Sequence, residues 1–250
     1  MIPIGDENPT LGFSAMTYGL IALNVALWLV VEHAGLDPVV LASRVCDLGM
    51  VPGEITRLAP VGESVPLGQG LACVVDRDAI NIFTPLISMF LHGGWLHLIG
   101  NMLYLGVFGN NVEDVMGRFR FLAFYLICGF IAAAAHIASD PASPIPVVGA
   151  SGAISGVLGA YLLLYPSTYV RMFVFIFVVR IRAWAVLLYW FVLQALTGMS
   201  QLNQLRPSVS SGVAVWAHVG GFLAGVILVK FFVNPDLFRR RAQALRAGTL

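Results

Sequence analysis

Val148-Gly149-Ala150-Ser151-Gly152-Ala153-Ile154-Ser155-Gly156-Val157-Leu158-Gly159 sets a run of small residues at the opening of an apolar segment of helix length. At helical spacing Ser151 and Ser155 share one face, Gly152 and Gly156 share another, and Ser155 with Gly159 extends the smooth surface. A neighbouring helix can approach such a surface closely. Two readings stand at this point. The serines bond back to their own helix and the stretch only packs, or a serine has been set at the mouth of a membrane helix to do chemistry.

Working outward, the composition decides the class. The chain is 58% hydrophobic and 11% charged, with a mean hydropathy of +0.86 over 250 residues, which excludes a soluble globular domain. An all-α polytopic membrane protein is expected, read as a single domain over residues 1–250. Its parts are a polar tail over about 1–12, a six-helix core over about 13–233 and a basic tail over about 234–250. The net charge of +1 argues against a nucleic-acid partner. The polar start, with Asp6 and Glu7, lacks the basic opening of a cleaved leader, so the first span, about Phe13 to Val31, is expected to be retained. Asn24 is its polar interruption and is expected to make an interhelical hydrogen bond.

A long loop follows from about Glu32 to Asn81, rich in proline, glycine and acidic residues. It is long enough to require a fold or function of its own. It carries Cys46 and Cys73, either bridged or as two unpaired thiols, whereas Cys128 lies in an apolar span and reads as a packed thiol.

The next segment, Phe90-Leu91-His92-Gly93-Gly94-Trp95-Leu96-His97-Leu98-Ile99-Gly100-Asn101, opens a second span reaching about Gly109. His97 and Asn101 are one turn apart on one face. Such groups in hydrocarbon either tie helices together or line a site. A metal site would want a third nitrogen, sulfur or carboxylate ligand nearby, and His92 lies too near the loop to serve, so no metal and no cofactor are expected.

Asn110 to Arg120 reads as a polar turn, and a third span as about Phe121 to Ala138, with His136 near its end. After the proline-rich loop Ser139 to Pro146, the fourth span runs from Ser151 to about Tyr165. Arg171, Arg180 and Arg182 flank Met172 to Val179, an apolar run too short to cross, expected as an interfacial hairpin or strand pair. The fifth span is about Ala183 to Thr197, followed by a polar loop from Gly198 to Ser211. The sixth, about Val213 to Val233, contains Ala217-His218-Val219-Gly220-Gly221 with Gly225. Gly221 and Gly225 form the smooth complement to Gly152 and Gly156, which would carry His218 towards Ser151.

Arg118, Arg120, Arg171, Arg180, Arg182 and the Arg239-Arg240-Arg241 tail fall on the side of the termini, against Arg44, Arg57, Arg77 and Arg206 opposite. Both termini are therefore expected in the cytoplasm. Spans two, four and six then run in one direction, with His97, Asn101, Ser151 and His218 each within about three turns of its start at about 1.5 Å per residue. Polar groups from three distant segments at one depth favour the site reading.

Gly149-Ala150-Ser151-Gly152, His97-x-x-x-Asn101 within HGGWLHLIGNM, Ala217-His218-Val219-Gly220-Gly221 with Gly225, and the turn NVEDVMGRFRFLAFY together resemble the rhomboid intramembrane serine proteases, over most of the chain. The resemblance implies a six-transmembrane-helix bundle with a long outward first loop. It implies hydrolysis of peptide bonds in or beside the transmembrane segments of other proteins, with the bilayer as the other partner. Separately, a bacterial inner membrane is the expected location. By position Ser151 matches the nucleophile, His218 the general base, and His97, Asn101 and Gly149 the oxyanion side. One position departs: four residues after the nucleophile the family often has an aromatic that stacks on the histidine, and here stands Ser155.

The chemistry also stands on the residues. A serine hydroxyl needs a base, and His218 is the only ionisable group of the sixth span placed to serve. Asn101, His97 and the free N–H groups opening the fourth span are donors suited to an oxyanion. Between Asp140 and Asp236 there is no Asp or Glu, so a dyad without carboxylate is expected. Acids of the outer loop are expected to stay outside the apolar bundle, leaving His218 to be oriented by packing and neutral hydrogen bonds, Ser155 among the candidates. A rhomboid-like protein that binds membrane clients without cutting them, or a small transporter, are the alternative readings.

Overall fold

The computed structural model describes residues 2–68, 70–202 and 214–249. In chain order the elements are β1 (Ile2–Asp6), α1 (Ala15–Val30), α2 (Pro38–Leu48), α3 (Pro52–Ile55), β2 (Ser64–Gly68), β3 (Leu71–Val74), α4 (Thr84–Ile87), α5 (Trp95–Tyr104), α6 (Asn110–Met116), α7 (Arg118–Ser139), α8 (Ser151–Leu164), β4 (Tyr169–Val174), β5 (Phe177–Arg182), α9 (Ala183–Leu202), α10 (Val215–Phe232) and α11 (Pro235–Ala247). The molecule is mostly helical. Among the described residues three helices, in α7, α9 and α10, are long and apolar enough to cross a membrane. A fourth crossing arises if the segments Ala79–Phe90 and Trp95–Met116, bent by 71°, count as one; α1 and α8 are shorter apolar helices.

α8 is the axis of the bundle. Every residue from Gly152 to Tyr161 is buried, the expected fate of a helix that is apolar all round. It packs between α7 and α10. Side chains added at Gly221 and Gly225 would overlap the backbone carbonyls of Gly152 and Gly156, so these glycines let α10 touch the α8 main chain. The space left by Gly152 and Gly156 themselves is taken by Ala132 and Cys128 of α7. The smooth surface of α8 is thus shared between two neighbours.

Several expectations are corrected. The chain is not all-α. β1, β4 and β5 form an antiparallel sheet in that order, with the expected strand pair of residues 169–182 joined by the N-terminal stretch. The polar stretch after the second span is helical rather than a turn, because its polar groups bond inward. Glu113 accepts from the N–H groups of Met16 at 3.0 Å and Thr17 at 2.7 Å and from the Thr17 hydroxyl at 2.8 Å, capping α1. The break falls instead at Gly117, whose φ of +79° suits glycine. Asn24 bonds back to Leu20 O at 2.7 Å within its own helix. α9 continues to Leu202, so the expected loop over Gly198 to Ser211 begins in helix; its remainder, with Arg206, lies outside the described residues.

The two tails meet at one end of the bundle. Arg241, 2% exposed, donates to Asn8 Oδ1 at 2.5 Å, Pro9 O at 2.7 Å, Asn111 Oδ1 at 3.2 Å, Asp114 Oδ2 at 3.1 Å and the Tyr165 hydroxyl at 3.1 Å. One arginine of the basic tail is therefore a buried tie. At the other end the long first loop has its own structure. Asp37 caps α2 by accepting from the N–H groups of Val39 and Val40, β2 pairs with β3, and a Cys46–Cys73 disulfide joins α2 to β3.

Candidate active site

Ser151 is the first residue of α8, and His218 lies in the first turn of α10. Ser151 Oγ stands 2.7 Å from His218 Nε2. The glycine contacts set this approach, since α10 rests on the α8 backbone one and two turns below the pair. His218 is 8% exposed and Ser151 is half-buried.

His97 and Asn101 arrive on α5. A Cβ built at Gly149 would fall 2.6 Å from His97 Nε2 and 3.6 Å from Asn101 Nδ2, and Gly149 has a φ of +127°, so only glycine fits. The Gly149 N–H donates to Ser88 O at 2.8 Å, which pins the turn that introduces Ser151. His97 Nδ1 accepts a long bond from the Gly93 N–H, 3.5 Å, leaving Nε2 as the ring donor on the Gly149 side. Asn101 is buried, and its Nδ2 has no partner among the described residues. Two donors thus flank the chain two residues before Ser151, beside the first N–H groups of α8, which have no partner within the helix. The set can remove a proton from a hydroxyl and hydrogen-bond an anionic oxygen. Among the described residues no cluster of metal-ligating side chains occurs.

Three neighbours escaped the reading of the sequence. Gln194 of α9 places Oε1 3.0 Å from His218 Nδ1. Trp190, one turn earlier, holds its ring 5.7 Å from the His218 ring at 39°. An aromatic does stand against the histidine, but it comes from α9. Ser155 does not reach His218: its hydroxyl donates to Ser151 O at 2.6 Å, the back-bond of a serine within a helix. Glu32, expected outside the bundle, is fully buried and accepts from the His92 N–H at 2.7 Å. His92 in turn meets the His97 ring edge-on at 5.2 Å. Burial of this acid is made tolerable by the backbone donor. Polarity in an apolar helix marks Gln194, but nothing in its spacing indicated a partner.

A family profile described as "Rhomboid domain" matches residues 77–235, well over half of the chain. The chain belongs to the rhomboid family. It is therefore an integral membrane protein. It is 35% identical to "RHOMBOID-like protein 5" of Arabidopsis thaliana over 144 residues, 57% of this chain and 42% of that protein. It is 46% identical to "Rhomboid protease GluP" of Bacillus subtilis over 81 residues, 32% of this chain and 15% of that one. The longest of these three alignments is to "Rhomboid protease AarA" of Providencia stuartii, 28% identical over 246 residues, 92% of this chain and 77% of that protein. The chain spans less than half the length of the first two. The rhomboid match includes α5, α8, α9 and α10, and so every residue described at the site except Glu32.

Proposed function

We propose that this rhomboid is an intramembrane serine endopeptidase that cuts peptide bonds in or beside the transmembrane segments of other membrane proteins. The observation that carries the reading is the 2.7 Å contact between Ser151 Oγ and His218 Nε2, made between two closely packed helices of a chain whose relatives include named rhomboid proteases.

In this reading Ser151 Oγ attacks the scissile carbonyl carbon while its proton passes to His218 Nε2. The carbonyl oxygen becomes an oxyanion, held by His97 Nε2–H, Asn101 Nδ2–H and the N–H groups opening α8, with Gly149 clearing the space they share. Collapse of the intermediate expels the amine, which takes the proton from His218, and leaves an ester on Ser151. Water then attacks the ester with His218 again as base, releasing the acid. Gly152, Gly156, Gly221 and Gly225 act by holding the two helices at the required spacing.

The whole chain then forms one membrane domain of six spans with an outward first loop, α1 and α8 serving as short crossings. Both termini face the cytoplasm of a bacterial cell, as the arginine distribution favours. The test is cleavage of a single-span reporter substrate in proteoliposomes. Wild type should cut it and Ser151→Ala should not; retained cleavage in Ser151→Ala would reject the assignment.

A further inference from the structure

We propose that Gln194 is a positioning residue that fixes the tautomer of His218; this rests on the Ser151–His218 reading. The amide oxygen Oε1 of Gln194 lies 3.0 Å from His218 Nδ1. A carbonyl oxygen only accepts, so Nδ1 carries the ring proton, and the lone pair of a neutral imidazole is left on Nε2. Nε2 is the atom that faces Ser151 Oγ at 2.7 Å. Gln194 therefore performs with a neutral group the orienting task that a carboxylate performs in a triad.

The surroundings explain why an amide occupies this place. α9 carries no charged residue from Ala183 to Leu202, and the only charged side chain of α10 is Lys230, at its far end. Among the described residues, the ionisable side chains set against His218 are two other histidines, His97 of α5 and His136 of α7. Among the described residues no permanent cation is set against His218, so a carboxylate there would be an anion in an apolar wall, a costly arrangement. An amide accepts the bond without that cost. Ser155, the alternative orienting group, is committed to Ser151 O. Trp190 lies on the same face of α9 one turn before Gln194 and meets both the His218 ring and, at 6.1 Å, the Phe222 ring. The ring of His218 is thus walled by one residue of α9 and hydrogen-bonded by another. α9 supplies both restraints that fix the imidazole plane.

The experiment compares wild type with Gln194→Met, which keeps the shape but loses the strong acceptor, and Gln194→Glu, which keeps the acceptor and adds a charge. Turnover of a single-span reporter in detergent is measured against pH, and nitrogen-15 spectra of histidine-labelled protein report which ring nitrogen is protonated. Gln194→Met should lower kcat by about 3- to 10-fold, the scale of one net hydrogen bond, with KM unchanged. Gln194→Glu should recover kcat at alkaline pH while its acid limb moves to higher pH, because a nearby carboxylate favours the imidazolium. Wild-type spectra should show His218 protonated at Nδ1 and bare at Nε2. A wild-type kcat and pH profile in Gln194→Met, or spectra with the proton on Nε2 in wild type, would overturn the proposal. Failure of the protease reading shows itself separately, as wild-type turnover no higher than that of Ser151→Ala, and the spectra still decide the role of Gln194.

Discussion

Gly225 of α10 rests directly on the backbone of Gly156 in α8, so closely that a methyl group at position 225 would overlap the Gly156 carbonyl. The obstructing atoms are main chain on a buried helix, and no rotamer change can move them aside. This contact and the matching one between Gly221 and Gly152 fix the separation of the helices that carry His218 and Ser151.

Gly225→Ala is therefore expected to destabilise the protein by about 1–3 kcal/mol, the range for overpacking a tight core. Gly19→Ala in α1, where a methyl meets nothing, should leave the unfolding midpoint in detergent unchanged or slightly raised. Equal midpoints for the two variants would refute the packing argument.

Asn101→Ala removes a buried amide donor beside Gly149. If Asn101 stabilises an oxyanion, turnover should fall by up to roughly 10²–10³, with unfolding little changed. His97→Ala should fall less if Asn101 persists, and the double variant further. Full activity in all three would return the pair to helix packing.

The Cys46–Cys73 bridge leaves Cys128 as the one free thiol. Thiol titration of denatured, unreduced protein should count one thiol, rising to three after reduction. The sequence separation of 27 corresponds to about 3–4 kcal/mol by loop entropy, so reduction should lower the unfolding midpoint of the outer loop. A count of three before reduction would contradict the bridge.

Asp6, outside the spans, predicts a pH dependence. Its carboxylate accepts from the Tyr161 hydroxyl at 2.5 Å and Asn111 Nδ2 at 2.9 Å. Burial pushes its pKa up to about 6 from an ordinary 3.8, against the opposing pull of the Tyr161 bond and of Arg241 and Arg171. The folded state thus holds this proton more tightly than the unfolded chain. The contribution of Asp6 is most favourable below the ordinary value and is lost as pH rises through about 6. Asp6→Asn should flatten the unfolding midpoint between about pH 4 and 6 relative to wild type; an unaltered pH profile would show that Asp6 does not titrate there.

The site elements most legible in the sequence were those whose chemistry is conspicuous in hydrocarbon. Ser151, His97, Asn101 and His218 stand out because ionisable and amide groups in apolar spans are costly, and the glycine spacing indicated which helices approach. The rest depends on contacts between distant segments. β1 pairs with a strand about 170 residues away, and five residues with only Ile2 and Ile4 to mark an alternation are too short to announce a strand or its partner. Glu113 turns the polar stretch after α5 into buried helix by capping α1, which only the packed bundle makes possible. The Ser155 back-bond and the Asn24 back-bond are choices of rotamer. A carboxylate in the bundle is costly, so the sequence favours solvent for Glu32; the His92 N–H that offsets the cost lies 60 residues away and leaves no local sign.

The central claim, a nucleophilic Ser151 activated by His218, is tested most directly by the intact mass of the protein after exposure to a fluorophosphonate. Wild type should gain a single phosphonyl adduct that maps to Ser151, and Ser151→Ala and His218→Ala should gain none, while Glu32→Gln labels like wild type. An adduct on another serine, or labelling of His218→Ala at the wild-type rate, would contradict the account.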